Sequence, residues 1–132
     1  MTDPAPTHGR ILFHDLTVPD AEAVRDFYAR VAGWTAEPLS MGDYDDYVMS
    51  APDGTPVAGI CHARGPNSDL PAAWMMYVDV PDLEAALDDA RELGGLVVAG
   101  PKGEAPGARF AVVRDPAGAL VALRQEATTP HG

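Results

Sequence analysis

Asp15 and Tyr77 stand 62 positions apart in a chain of 132 residues, the same interval that separates VPDAEAV, from residue 18, and VPDLEAA, from residue 80. A carboxylate and a phenol at matching places of an internal repeat can together grip a cationic or hydrogen-bond-donating group, and such a carboxylate can also serve as a base. Four more side chains carry chemistry: His14, His62, Asp79 and the single cysteine, Cys61. The sequence has no glycine-rich phosphate loop, no serine nucleophile elbow and no paired-cysteine metal spacing. Covalent catalysis therefore has no visible apparatus.

The elements that must position these residues repeat as well. RILFHDLTV is an extended apolar run that ends at Pro19, which cannot continue a strand ladder, and Asp20 can cap a following helix. Val24, Phe27, Tyr28 and Val31 form one apolar stripe, and Gly33 supplies a left-handed stop, which predicts a helix over 21–32. The second copy runs WMMYVDV, Pro81, Asp82, then the stripe Leu83, Ala86, Leu87 and Ala90, then Gly94 and Gly95. Three shorter extended runs follow each helix. APDGTPVAGI answers DPAGALVAL, and Pro52 with Gly54, or Pro116 with Gly118, makes the hairpin turn, here 64 positions apart.

Each half thus reads strand, helix, strand, strand, strand. The expected organisation is a tail over 1–9, a βαβββ module over 10–63, a linker over 64–72, a second module over 73–126 and a tail over 127–132. Half a chain of this size has too little helix to cover both faces of its sheet. The expected fold is therefore α+β, two tandem βαβββ modules forming a concave mixed-sheet groove with the helices outside.

Composition narrows the partners. With 46% hydrophobic and 22% charged residues the chain is globular, and no run approaches the roughly 20 apolar residues of a membrane span. The opening MTDPAPTHGR lacks a secretory apolar core and Cys61 has no partner cysteine, so a reducing cytoplasm is expected. A net charge of −11 opposes phosphate backbones, which sets nucleic acid aside.

A duplicated βαβββ unit carrying HDLTVPDAEAVRDFYARVAGW, AAWMMYVDVPDLEAALDDARELGG and ARFAVVRDPAGALVALRQ resembles the vicinal oxygen chelate superfamily, which includes glyoxalase I, bleomycin resistance proteins and extradiol dioxygenases. The resemblance covers about residues 10–125 and implies a pseudo-twofold site built by equivalent strands. Metal-dependent members place one His, Glu or Gln on the first and last strand of each module. Aligning the repeats and the DPAG turn puts Phe13, Ala58, Met75 and Ala122 at those places, and none can ligate a hard or borderline cation. Sliding the register by one or two residues makes no better set. No metal and no cofactor is expected. The resemblance also implies a homodimer, which an uncovered sheet edge in so small a chain favours.

Strand alternation then sorts the groove. Phe13, Asp15 and Thr17, with Met75, Tyr77 and Asp79, are expected to face it, joined by Ala58, Ile60 and His62 and by Ala122 and Arg124. The expected ligand-binding set is Phe13, Asp15, Thr17, Ala58, Ile60, Met75, Tyr77, Ala122 and Arg124, an apolar floor with few polar groups. Each candidate has a plainer reading. His14 suits a helix-facing core histidine, Asp15 a salt bridge to Arg124, His62 a solvated strand end, Tyr77 packing, and Met49, Met75 and Met76 core filling. Tyr44 and Tyr47 suit a hairpin tip or a lid, and Cys61, by the same parity, a buried inert thiol on the helix side.

The leading functional reading is metal-free binding of a small organic molecule, an antibiotic or a metabolite, as the likeness to bleomycin resistance proteins implies. The alternatives are a lyase, isomerase or dioxygenase that recruits a metal through Asp15, His62 or Asp79 or works through Asp15 and Tyr77 without one, and a homodimeric domain with no ligand. Loops over 36–47 and 99–108 are expected to shape the pocket.

Overall fold

The computed structural model describes residues 8–104 and 106–127, and most of both expected tails lies outside them. In chain order the elements are β1 (Ile11–Val18), α1 (Ala21–Val31), β2 (Thr35–Ser40), β3 (Asp45–Ser50), β4 (Pro56–His62), a short 3₁₀ turn (Gly65–Asn67), β5 (Met75–Asp79), α2 (Leu83–Glu92), β6 (Leu96–Lys102), β7 (Arg109–Arg114) and β8 (Leu120–Gln125). This is an α+β chain in which βαβββ occurs twice. Most of 36–47 and part of 99–108 is strand rather than loop, because β2 with β3, and β6 with β7, are paired antiparallel ribbons.

Two compact units divide the chain, one over Phe13–Met75 and one made of the described residues before Phe13 together with those from Met76 onward. The division falls inside β1 because the start of the chain is fastened to β5. The Gly9 N–H donates to the Asp79 carbonyl at 2.6 Å, and the Asp79 N–H donates to the Arg10 carbonyl at 2.9 Å. The expected linker over 64–72 lies within the first unit.

Both helices start as their sequences require. Asp20 accepts the Ala23 N–H and Asp82 accepts the Ala85 N–H, each at 3.1 Å, and a cap of this kind stabilises by about 1 kcal/mol. The α1 stripe is narrower than its spacing suggests. Ala21, Val24 and Tyr28 pack on the sheet, whereas Phe27 and Val31 are 55% and 66% exposed. Phe27 meets the Tyr28 ring edge-on, with centroids 4.9 Å apart, and Tyr28 stacks on Trp34.

In the first unit the strands lie in the order β2-β3-β4-β1, with β1 and β4 parallel. Leu16, Val18, Tyr47, Met49 and Ile60 form its core with Ala21. In the second unit the order is β6-β7-β8-β5, with β5 and β8 parallel, and Leu83 and Leu87 of α2 pack on Ala111 and Val113. The Leu83 N–H, left free by the helix geometry, donates to Gln125 Oε1 at 2.8 Å.

The units differ at one residue of their last hairpin. Ser50 pairs with Pro56 but Met49 pairs with Ala58, so Val57 is an extra residue in β4, a β-bulge. In the second unit Arg114 pairs with Leu120 and Val113 with Val121, without interruption. The turns are 64 positions apart, as Pro56 and Leu120 show, but beyond the bulge Ala58 and Val121 are only 63 apart. Because side chains alternate with period two, one extra residue turns the rest of β4 over.

This phase has a direct consequence for stability. Ile60→Ala, which empties a fully buried position, is expected to cost about 2–5 kcal/mol. Val57→Ala, at the half-exposed bulge, should stay within about 0.5 kcal/mol. Urea denaturation of the two variants checks this, and equal losses would place both residues on the same footing and contradict the assigned phase.

Candidate functional site

In the first unit, the sheet face turned away from α1 carries Phe13, Asp15 and Thr17 of β1. Asp15 pairs with Gly59 and Thr17 with Cys61. A Cβ built on Gly59 would lie 3.3 Å from the Asp15 Cβ, so glycine lets β4 lie close beside Asp15. Phe13 is 42% exposed, Asp15 is half-buried and Thr17 is buried. Ala58 and Ile60, expected beside Asp15, belong instead to the helix side, where Ile60 pairs with Leu16 and both pack in the α1 core. Gly59 and Cys61 take their places, since the Val57 bulge reverses the alternation. His14 falls on the helix side by alternation, yet it is exposed rather than core.

In the second unit there is no bulge in the last hairpin, and the expected phase holds. Tyr77 pairs with Ala122 and Asp79 with Arg124, while Val78 and Leu123 face α2. Phe110 and Val112 share the face of Tyr77, Ala122 and Arg124, and the Tyr77 and Phe110 rings meet with centroids 5.8 Å apart. Tyr77, Asp79, Val112 and Ala122 are buried. Met75, at the start of β5, is buried as well, whereas Met76 is half-exposed.

The densest group of ionisable side chains lies on the helix side of the first unit. His62, expected to face the groove or to lie solvated at the strand end, turns to the helix side with its partner Val18 and is only 8% exposed. Its Nε2 is 2.8 Å from Glu22 Oε2 on the first turn of α1, and its Nδ1 is 3.5 Å from Asp46 Oδ1 on β3. The same Asp46 oxygen accepts the His62 backbone N–H at 2.8 Å. Burial of the ring works against its charge. The hydrogen bond and charge of Glu22, with Asp46 and the Asp45 backbone, outweigh burial and hold the imidazole pKa above its ordinary value. The His62 hydrogen bond in turn pulls the Glu22 carboxyl below the usual range.

Two tyrosines complete this group. Tyr44 meets the His62 ring edge-on at 5.4 Å, and the Arg64 guanidinium lies 4.2 Å over Tyr44 while pairing with Asp43 at 3.5 Å. Tyr47 is a core residue rather than part of a hairpin tip, with Arg25 stacked 4.7 Å over its ring. Glu22 and Asp46 escaped the sequence reading because one looks like an ordinary acidic residue of a first helical turn and the other sits in the acidic run DYDDY. The only hint was that Asp46 precedes a core residue on a strand.

The donor chemistry at the places where the resemblance implies metal ligands does not fit a metal ion. With the bulge counted, those places are Phe13 on β1 and Gly59 on β4, and Met75 on β5 and Ala122 on β8. A phenyl ring, a hydrogen, a thioether and a methyl group offer no hard or borderline donor. Among the described residues no group of three or more His, Cys, Asp or Glu side chains is arranged to hold a metal ion.

Comparison with known proteins agrees with this architecture. A family model described as Glyoxalase/Bleomycin resistance protein/Dioxygenase superfamily matches residues 10–123. The anthracycline biosynthesis protein DnrV of Streptomyces peucetius is 33% identical over 127 aligned residues, covering 87% of this chain and 46% of that protein. The putative glyoxylase CFP32 of Mycobacterium tuberculosis is 29% identical over 120, covering 90% and 45%. The chain spans about half the length of the curated relatives it matches. Among solved structures, a superfamily member from Vibrio splendidus 12B01 aligns with a TM-score of 0.55 at 16% identity, over 89% of this chain and 99% of that one. Methylmalonyl-CoA epimerase from Mycobacterium tuberculosis aligns with a TM-score of 0.52 at 18% identity, over 95% and 93%. At these identities the structural likeness shows the fold alone.

Cys61 tests the face assignment chemically. Burial, the negative charges of Asp15 and Asp46, and a hydrogen bond to Asp46 push its thiol pKa up to about 12. Almost no thiolate then exists at neutral pH, and the thiolate is the nucleophile. Native protein at pH about 7.5 is expected to resist iodoacetamide while urea-unfolded protein is alkylated; fast alkylation of the native form, read by intact mass, would contradict the site as described.

Proposed function

Because this chain belongs to the Glyoxalase/Bleomycin resistance protein/Dioxygenase superfamily, we propose that it binds a small organic molecule, without a metal ion, on the sheet faces turned away from its helices. The observation that carries this reading is the set Phe13, Gly59, Met75 and Ala122, which removes every metal donor from the places where metal-dependent relatives hold theirs. What is left suits recognition. Phe13 offers a partly exposed ring and Asp15 a half-buried carboxylate, with only a hydrogen on Gly59 against the Asp15 Cβ. Thr17 adds a hydroxyl to the face of the first unit, and Tyr77 and Arg124 add hydrogen-bonding groups beside the apolar Ala122 on the face of the second.

The relatives named for anthracycline biosynthesis make flat polycyclic natural products the ligand class to test first. An aromatic plane can stack on Phe13, and a cationic amine can pair with Asp15 through a charge-assisted hydrogen bond, worth roughly 1.5–3 kcal/mol. A cytoplasmic homodimer is the assembly this reading carries with it.

Two measurements test the proposal. Elemental analysis of the purified protein should find no stoichiometric divalent metal, and chelator should leave the melting temperature unchanged. About one zinc, nickel, iron or manganese per chain would instead favour a metal-dependent lyase, isomerase or dioxygenase. In a thermal-shift screen of polycyclic aromatic compounds with and without an amino group, the amine-bearing members should bind preferentially. Asp15→Asn should then weaken them by about tenfold or more, with a smaller loss for Tyr77→Phe. Hits that bind both variants as tightly as the wild type would remove these faces from consideration.

A further inference from the structure

We propose that His62 is held as an imidazolium between Glu22 and Asp46 and acts as a pH-dependent latch that fixes the start of α1 and the β2–β3 hairpin tip to the end of β4.

The geometry favours the charged ring. Both ring nitrogens face carboxylate oxygens, Nε2 toward Glu22 at 2.8 Å and Nδ1 toward Asp46 at 3.5 Å. A neutral imidazole has one N–H and one lone pair, so either tautomer would aim a lone pair at an acceptor. Only the doubly protonated ring presents an N–H to each side. Nδ1 is buried without a hydrogen bond of its own, which leaves its satisfaction to the longer ion pair with Asp46. The ring is too buried for water to replace either partner readily.

Every element packed on the ring is thereby joined through it. From α1 come Glu22 and, one turn on, Arg25, whose guanidinium lies on Tyr47 rather than on the histidine. From β3 come Asp46, Tyr47 and the Asp45 backbone, and from β1 the apolar Val18, which pairs with His62. From the hairpin tip comes Tyr44, which closes the turn by accepting the Met41 N–H at its carbonyl and meets the ring edge-on. Arg64, just past β4, lies over the Tyr44 ring and pairs with Asp43. Acidic groups touch the ring directly, while both nearby arginines are engaged with tyrosines. Loss of the proton leaves one ring N–H between two carboxylates and removes the charge attraction to both, so the ring's ties to α1 and β3 weaken while the His62 backbone N–H stays on Asp46, and Tyr44 loses its charged neighbour.

The direction of the pH effect follows from linkage. A histidine whose pKa is raised by folding stabilises the folded state fully below its unfolded value of about 6.5, and that contribution is lost as pH rises through the higher folded value. The latch is therefore closed in mild acid and released toward alkaline pH.

The test uses the full chain. The His62 ring signal, assigned by NMR with His62→Gln, should titrate with a midpoint clearly above about 6.5. Amide protection over residues 41–47 and 20–25, taken relative to the intrinsic exchange rate at each pH, should fall through the same midpoint. Glu22→Gln keeps a hydrogen-bonding group on an exposed side chain but removes its charge, so it should lower the midpoint and shift the exchange transition with it. If His62→Gln does not fold, Glu22→Gln carries the test alone, with the ring signal assigned from backbone connectivities. A His62 midpoint at or below the model-peptide value would overturn the proposal, as would a raised midpoint with protection at 41–47 and 20–25 unchanged across it.

Discussion

The β4 strand carries one residue more than its ladder with β3 can use, and Val57 absorbs the surplus. A bulge of this kind costs one pairing and turns over every side chain that follows. Through that reversal Ile60 reaches the α1 core, His62 reaches Glu22, and Gly59 comes to lie against Asp15. Without it the polar and apolar sides of the first unit would be exchanged from residue 58 onward. The core, the buried histidine and the close approach of Gly59 to Asp15 all follow from this single irregularity.

The two βαβββ copies therefore share a plan and differ in what they present. In the second, an unbroken β7–β8 ladder sets Tyr77, Phe110, Val112 and Ala122 on one face, most of it buried. In the first, the corresponding face carries a carboxylate, a glycine and a thiol pushed up to about 12, with Phe13 partly exposed. Duplication supplies similar backbones, and a one-residue difference lets them diverge in chemistry. A fold that hosts many activities gains its particular one in this way, through the side chains that its strands carry.

Asp46 links the two sides of the first unit. It accepts the His62 backbone N–H, faces the His62 ring and hydrogen-bonds the Cys61 thiol. One buried carboxylate thus steadies the imidazolium on the helix side and suppresses the thiolate on the other. Its place on β3 next to Tyr47 gives it that reach, because adjacent strand residues point to opposite faces while a short side chain at the strand end can curl toward its neighbour's backbone.

Much of this was legible in the sequence. The 62-residue repeat, the capping aspartates Asp20 and Asp82 and the proline–glycine turns determined two βαβββ copies, because these signals are local and each depends on a few neighbouring residues. The face of Tyr77, Ala122 and Arg124 followed from alternation alone, since β8 runs without interruption. Alternation alone puts Ala58, Ile60 and His62 on the groove side and Cys61 on the helix side, the reverse of what the structure holds, because a bulge leaves no mark in hydropathy: Val57 is an ordinary strand residue whose lack of a partner exists only once β3 is laid beside β4. Likewise Phe27 and Val31 satisfy a helical stripe but stay exposed, since the width of the buried strip is set by the sheet beneath it. The Glu22–His62–Asp46 group spans 40 residues of sequence, and nothing local announces it. Sequence determined the elements and their order, while only the tertiary structure decided which side chains meet, because register is a property of pairs of strands and not of either one.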